Sequence, residues 1–193
     1  MAEDMDRLTV LESIEEIKRL KSKYFYYLDH KNFDGWRNEV LCTDAVMWTP
    51  FESVEASQGG KELQPLVGVE MIISTLKSVL ADVVTVHQGH MPDIQITSPT
   101  TATGVWALED ILLLAGSMKV NGECLRMHGY GNYHETYVRE SRGWRIKTML
   151  LTRIFNLNTL TAPPERWKGS PKKRVKELVA PSGIVLGIEL QAK

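Results

Sequence analysis

The segment TVHQGHMPDI, residues 85–94, carries two histidines three positions apart. Such a pair can ligate a metal, supply a base, or do neither. A tetrahedral zinc site needs three or four side chains converging from one side. On a helix, His87 and His90 would share a face. The β-branched residues before His87, with Gly89 and Pro92 after it, instead describe a strand ending in a bend. Residues three apart on a strand point to opposite faces. The two imidazoles therefore diverge, no Cys/His cluster completes a ligand set, and no metal is expected. One of them can still enter a cavity as a general base if a carboxylate orients its ring and supports the imidazolium. The competing reading is a core histidine bonded to a backbone carbonyl, and the residues alone leave both open.

Other polar side chains interrupt apolar rows. Asp29 closes the apolar stripe of the first helical segment, where the helix dipole opposes an acid, so its position needs another reason. It is a candidate partner for a histidine. In VWALEDILLL, Trp106, Leu108, Asp110, Leu112 and Leu114 alternate on one face while Glu109 turns the other way. A buried carboxylate is costly unless paired, and Arg153, inside the apolar run MLLTRIFNL, is placed to meet it. That pair is either structural or catalytic. Tyr24 lies on the inward stripe and, once buried, needs a hydrogen-bond partner that a substrate can supply. His128 and Tyr130 share a strand face and are candidates to line the cavity. His30 and His134 carry no special signal.

The elements that position these groups follow from periodicity. Leu11, Ile14, Ile17, Leu20, Tyr24 and Leu28 recur every three or four residues and predict a helix over 7–28. A brief helix is expected over Phe33–Val40, a strand over Asp44–Phe51, and a polar loop over 52–67. Val69, Ile72, Ile73, Leu76, Val79 and Leu80 predict a second amphipathic helix over 68–81. The period then becomes strand-like, with candidates Val83–His87, Asp93–Ser98, Ala102–Leu114, Glu123–Arg139 and Trp144–Asn156, joined by turns at SPTT, SMKVNGE and ESRG. Helices followed by hairpin-connected strands mean α+β: a curved antiparallel sheet packed on the N-terminal helices, forming a cone around an internal cavity. Residues 1–160 form one domain. The proline-bearing residues 161–193 form a C-terminal arm, in which KKRVK reads as a solvated basic segment.

Composition excludes several classes. A net charge of -1 gives no general attraction to nucleic acid or anionic lipid. No apolar run approaches the ~20 residues that span a bilayer. Cys42 and Cys124 are too few for a disulfide framework and fit a reducing compartment. The acidic start MAEDMDRLTV lacks an apolar signal core. A cytoplasmic protein is expected.

IEEIKRLKSKYFYYLDHKNFDGW resembles the opening helix of the SnoaL-like group in the nuclear transport factor 2-like superfamily. That superfamily includes scytalone dehydratase, hexachlorocyclohexane dehydrochlorinase and ketosteroid isomerase. The segments KSKYFYYLD, HQGHMPDIQI, TATGVWALED and TRIF together resemble the bacterial bile-acid 7α-dehydratases, across residues 8–158. The resemblance places an Asp–His dyad of the scytalone dehydratase type on Asp29 and His87, and the remaining functional residues on Tyr24, Asp110 and Arg153. It implies a SnoaL-like domain that eliminates water from a 7-hydroxy-3-oxo-Δ4 steroid or bile-acid intermediate, without a cofactor and as a homotrimer. Residues 50–68, the arm after 160, and VNGECLRMHGYGNY depart from that branch, which leaves room for a related substrate. The alternatives are another cofactor-independent lyase or isomerase of polycyclic compounds, or a non-catalytic ligand-binding or subunit protein.

Overall fold

Apolar side chains at helical spacing commit the N-terminal part of the chain to helices that must bury one face. The computed structural model describes residues 6–48 and 64–163, with 177–179 and 185–187. Helix α1 (Arg7–Asp29) starts at Asp6, whose carboxylate accepts from the Thr9 amide, and buries Ile17, Leu20, Tyr24 and Leu28. The first turns of the expected stripe stay outside, with Leu11 60% exposed. A short helix α2 (Phe33–Gly35) continues as one π-helical turn over Trp36–Val40. Helix α3 (Val69–Leu80) buries Val69, Ile72, Ile73, Leu76 and Leu80, leaving Val79 exposed.

The strands are β1 (Leu41–Trp48), β2 (Leu66–Val67), β3 (Val83–Ser98), β4 (Thr101–Val120), β5 (Glu123–Glu140) and β6 (Gly143–Thr161). They form one curved, open sheet in the order β2-β1-β6-β5-β4-β3. The α+β class stands, with α1 and α3 packed against the sheet. The expectation of a wholly antiparallel sheet is corrected at one seam, where β1 runs parallel to β6. A parallel pair needs a long crossover, and the intervening elements supply it.

Three boundaries differ for local reasons. Strand β1 begins at Leu41, three residues early, with Leu41 and Cys42 buried and the polar Thr43 and Asp44 exposed where the β1–β6 register shifts. The strands expected at 83–87 and 93–98 are one strand, β3, with a register shift between Gly89 and Pro92. Proline lacks a ladder donor and is tolerated here because β3 is an edge. The turn expected over SMKVNGE contracts to Asn121 and Gly122, with φ 52° and 85°. Two positive values in a two-residue loop match the type I′ hairpin that Asn-Gly favours. Residues 49–63 and the KKRVK segment lie outside the described residues.

The chain divides into two compact units, Met1–Ala162 and Pro163–Lys193. Within the second, β7 (Glu177–Val179) and β8 (Val185–Gly187) pair antiparallel. No helix among the described residues is long and apolar enough to cross a membrane.

One charged pair is sealed inside the first unit. Lys21 of α1 donates to Glu135 of β5, and both side chains are fully buried. Glu135 also accepts from the Tyr137 hydroxyl, which in turn accepts from Trp106 Nε1 at 2.8 Å. The Lys21 ammonium sits 3.9 Å from the Tyr24 ring centroid and 3.6 Å from that of Tyr133. Removing one member of a buried pair strands the other charge. Lys21→Met should therefore lower stability by about 3–5 kcal/mol in urea denaturation. Adding Glu135→Gln, which removes the stranded charge but keeps an acceptor for Tyr137, should recover a large part. Equal stability of wild type and Lys21→Met would contradict this role.

Candidate active site

The site forms where the end of α1 meets edge strand β3. Asp29 Oδ1 accepts from His87 Nδ1 at 2.7 Å and from Thr85 Oγ1 at 2.8 Å, and Oδ2 accepts from the His87 backbone N–H at 2.9 Å. These bonds supply the reason for an acid at an unfavourable helix end. The backbone donor is available because, among the described residues, β3 pairs with β4 alone. With Nδ1–H given to Asp29, the unprotonated Nε2 is the tautomer's free basic nitrogen. His87 lines a cavity, and its side chain is 8% exposed against 19% for Asp29. The Phe25 ring lies nearly parallel to the imidazole, at 14° with centroids 6.4 Å apart. Gly89 makes this possible, since a Cβ there would sit 2.5 Å from Phe25 Cε2.

His87 is directly opposite Asp110 in the β3–β4 register, so both side chains face inward. Asp110 is buried and grips Arg153 through two bonds, Nη1 to Oδ1 at 2.8 Å and Nη2 to Oδ2 at 2.6 Å. The carboxylate is thereby occupied and serves as an anchor for the guanidinium. Space for the pair comes from Gly129, opposite Asp110 on β5. A Cβ at Gly129 would lie 2.4 Å from Arg153 Nη1 and 2.5 Å from Asp110 Oδ1.

Tyr24 is buried with its ring against Trp36 and Tyr133. Burial raises its hydroxyl well above an ordinary phenol, with Tyr133, Glu135 and Asp29 adding to the effect. Burial likewise raises Tyr133. Both stay neutral near pH 7 and can act as hydrogen-bond donors. Apolar walls come from Leu28, Trp36, Met47, Leu76, Leu80, Met149 and Leu151. The cavity volume is ≈ 50 Å³, room for a water or two.

Of the residues singled out in the sequence, Tyr24, His87, Asp110 and Arg153 line this one cavity, with Asp29 behind His87. His128 and Tyr130 do not line it, and the expectation that they do is corrected. Tyr130 pairs with Glu109 and His128 with Ile111, so both share the outward parity of Glu109. There His128 Nε2 meets Glu109 Oε1 at 2.7 Å, and the Tyr130 hydroxyl donates to the same oxygen at 3.3 Å. His90 is also on that side, 3.6 Å from Glu109, so the two histidines of HQGH diverge. Tyr133 and Thr85 belong to the site and were not singled out. Gly129 and Gly131, alternating through GYGNY, were the available signal that something bulky approaches the inner face. Among the described residues no three His, Cys, Asp or Glu side chains converge as metal ligands.

Residues 9–149 match the family model of the SnoaL-like domain, and the chain belongs to that family. A hexachlorocyclohexane dehydrochlorinase (LinA) type 2 superposes with a TM-score of 0.66 at 16% identity, over 83% of this chain and 99% of that one. A putative scytalone dehydratase from Novosphingobium aromaticivorans gives 0.63 at 18% identity, over 83% and 98%. The Kfla4162 protein from Kribbella flavida gives 0.64 at 21% identity, over 77% and 95%. At these identities the likeness is one of fold.

The Gly129 cradle makes a direct prediction. Gly129→Ala should force the Asp110–Arg153 pair apart and cost about 1–3 kcal/mol, the usual range for overpacking a filled site. Chemical denaturation measures it, and a change within error of zero would show that the pair adapts freely.

Proposed function

We propose that this SnoaL-like protein is a hydro-lyase in which His87, oriented by Asp29, eliminates water from a cyclic hydroxy-ketone. The observation that carries the reading is the hydrogen bond from His87 Nδ1 to Asp29, which leaves Nε2 as the base of a largely apolar cavity. The substrate class is a 7-hydroxy-3-oxo-Δ4 steroid or bile-acid intermediate, supported by the resemblance of four segments to the bile-acid 7α-dehydratases. The dehydratase and dehydrochlorinase named among the structural neighbours are consistent with elimination chemistry on this fold.

The conjugated carbonyl acidifies the C6 hydrogen of such a steroid. His87 Nε2 takes that proton, and Asp29 supports the imidazolium that results. Charge develops on the distant oxygen. The C6–C7 double bond forms as the C7–O bond breaks, and the hydroxyl leaves as water with the proton that the His87 imidazolium gives back. Tyr24 and Tyr133 are neutral donors for a substrate oxygen, while Asp110 and Arg153 hold the polar floor. Each step uses side chains already in the cavity, so the reading calls for no cofactor.

A ring system needs more than ≈ 50 Å³, so binding requires the apolar walls to part. Met47 and Met149 are suited to this, as unbranched side chains adapt readily. The same volume favours a second reading, elimination from a smaller ring by the same dyad. A homotrimer is part of the proposal, supported by the apolar Val105, Ile154, Phe155 and Leu157 exposed on the single chain.

Wild-type protein incubated with a panel of cyclic hydroxy-ketones should yield a product lighter by one water. A product of unchanged mass would indicate isomerisation instead. On the best substrate His87→Ala should lower kcat by about 10²–10⁴-fold, the usual contribution of a general base. Asp29→Asn should lower it by at least about 10-fold, since the imidazole loses its orienting charge. Undiminished dehydration in both folded variants would refute the dyad assignment.

A further inference from the structure

Helix α1 ends in a way that normally selects glycine. The Asn32 amide donates to the Tyr27 carbonyl at 2.8 Å and the Lys31 amide to the Leu28 carbonyl at 3.2 Å. This is the Schellman pattern, whose left-handed residue is usually Gly and sometimes Asn. Here it is Lys31, at φ 57°. A β-carbon in that conformation carries a steric cost, which calls for a compensating contact.

The side chain supplies one. Instead of extending into water, Lys31 Nζ donates to Thr85 Oγ1 at 2.8 Å. That hydroxyl donates to Asp29 Oδ1 at 2.8 Å, the oxygen that also accepts from His87 Nδ1. The ammonium thus lies one hydroxyl away from the carboxylate of the dyad. Lys31 is not among the residues lining the cavity.

We propose that Lys31 is a positioning residue for the Asp29–His87 dyad, fixing the carboxylate through Thr85 and placing a positive charge one hydroxyl away from it. The inference rests on the reading of His87 as the base. The groups around the imidazole make the sign definite. Helix α1 presents Asp29 and Tyr24, β4 presents Asp110, β5 presents Tyr133 and β6 presents Arg153, while α3 contributes Leu76 and Leu80 to the cavity wall. Asp110 and Arg153 neutralise each other, and both phenols remain uncharged. Asp29 and Lys31 therefore set the net charge near His87. A cation there disfavours the imidazolium, so removing it raises the pH at which His87 titrates. Partial burial draws Lys31 itself down to about 8, with Asp29 pulling the other way. The influence accordingly operates below about pH 8 and fades above it.

The test uses Lys31→Asn, which suits a left-handed position and carries no charge, with Lys31→Gly as a second variant. His87 is followed by NMR titration of its ring signals, assigned by their loss in His87→Gln. The proton uptake of His87 should move up by roughly one pH unit in Lys31→Asn and Lys31→Gly. It should stay near the wild-type value in Lys31→Arg. Both uncharged variants should melt at or above the wild-type temperature, because the backbone strain is relieved. The same His87 titration in wild type and both uncharged variants would overturn the inference. A shifted titration in a protein that dehydrates none of the panel leaves the Lys31 inference standing and removes the hydro-lyase reading.

Discussion

A carboxylate at the wrong end of a helix has to find donors, and the site is arranged around that requirement. Asp29 faces the negative end of the α1 dipole and has three donors from Thr85 and His87 to offset it. The backbone donor exists because, among the described residues, β3 is a sheet edge that leaves the His87 amide without a neighbouring strand. Helix α1 is in turn tied to β5 by the buried Lys21–Glu135 pair and to β3 by Phe25 seated over Gly89. Helix, edge strand and core thus converge on one imidazole orientation. The same contact defines the tautomer and hence which nitrogen is basic.

Sheet parity then separates two sets of polar groups. His87, Asp110, Gly129, Tyr133 and Arg153 occupy the inner face, where apolar walls strengthen every electrostatic contact. Glu109, His128, Tyr130 and His90 form their own cluster on the outer face. A single backbone step between Glu109 and Asp110 divides a solvent-facing acid from a buried one. The inner acid is neutralised by a two-point arginine contact. The inner imidazole, with Nδ1 committed to Asp29, keeps one nitrogen for chemistry.

Much of this was readable from residue types. Tyr24, Asp29, His87, Asp110 and Arg153 each interrupt an apolar row, and such interruptions are visible without coordinates. Strand parity sends His87 and His90 to opposite faces, while the choice of His87 as the inward one came from the family resemblance. The error over His128 and Tyr130 has a physical origin. Their face relative to Asp110 depends on the β4–β5 register, in which Asp110 meets Gly129. Neither strand reveals that register by itself. Lys31 was hidden because a lysine in a polar connection looks solvated, and only its positive φ and the Thr85 contact show otherwise. Tyr133 was hidden because aromatic residues are ordinary in strands. The parallel β1–β6 seam was equally invisible, since strand order does not follow from periodicity.

The central claim is that Asp29 holds His87 in the Nδ1–H form, with Nε2 free to accept a proton. Nitrogen-15 NMR of the imidazole ring reports the tautomer directly. At a pH above the His87 titration, the account predicts a protonated Nδ1 and an unprotonated Nε2 in wild type, with that preference lost in Asp29→Ala. A wild-type imidazole protonated at Nε2, or a preference unchanged in Asp29→Ala, would contradict it.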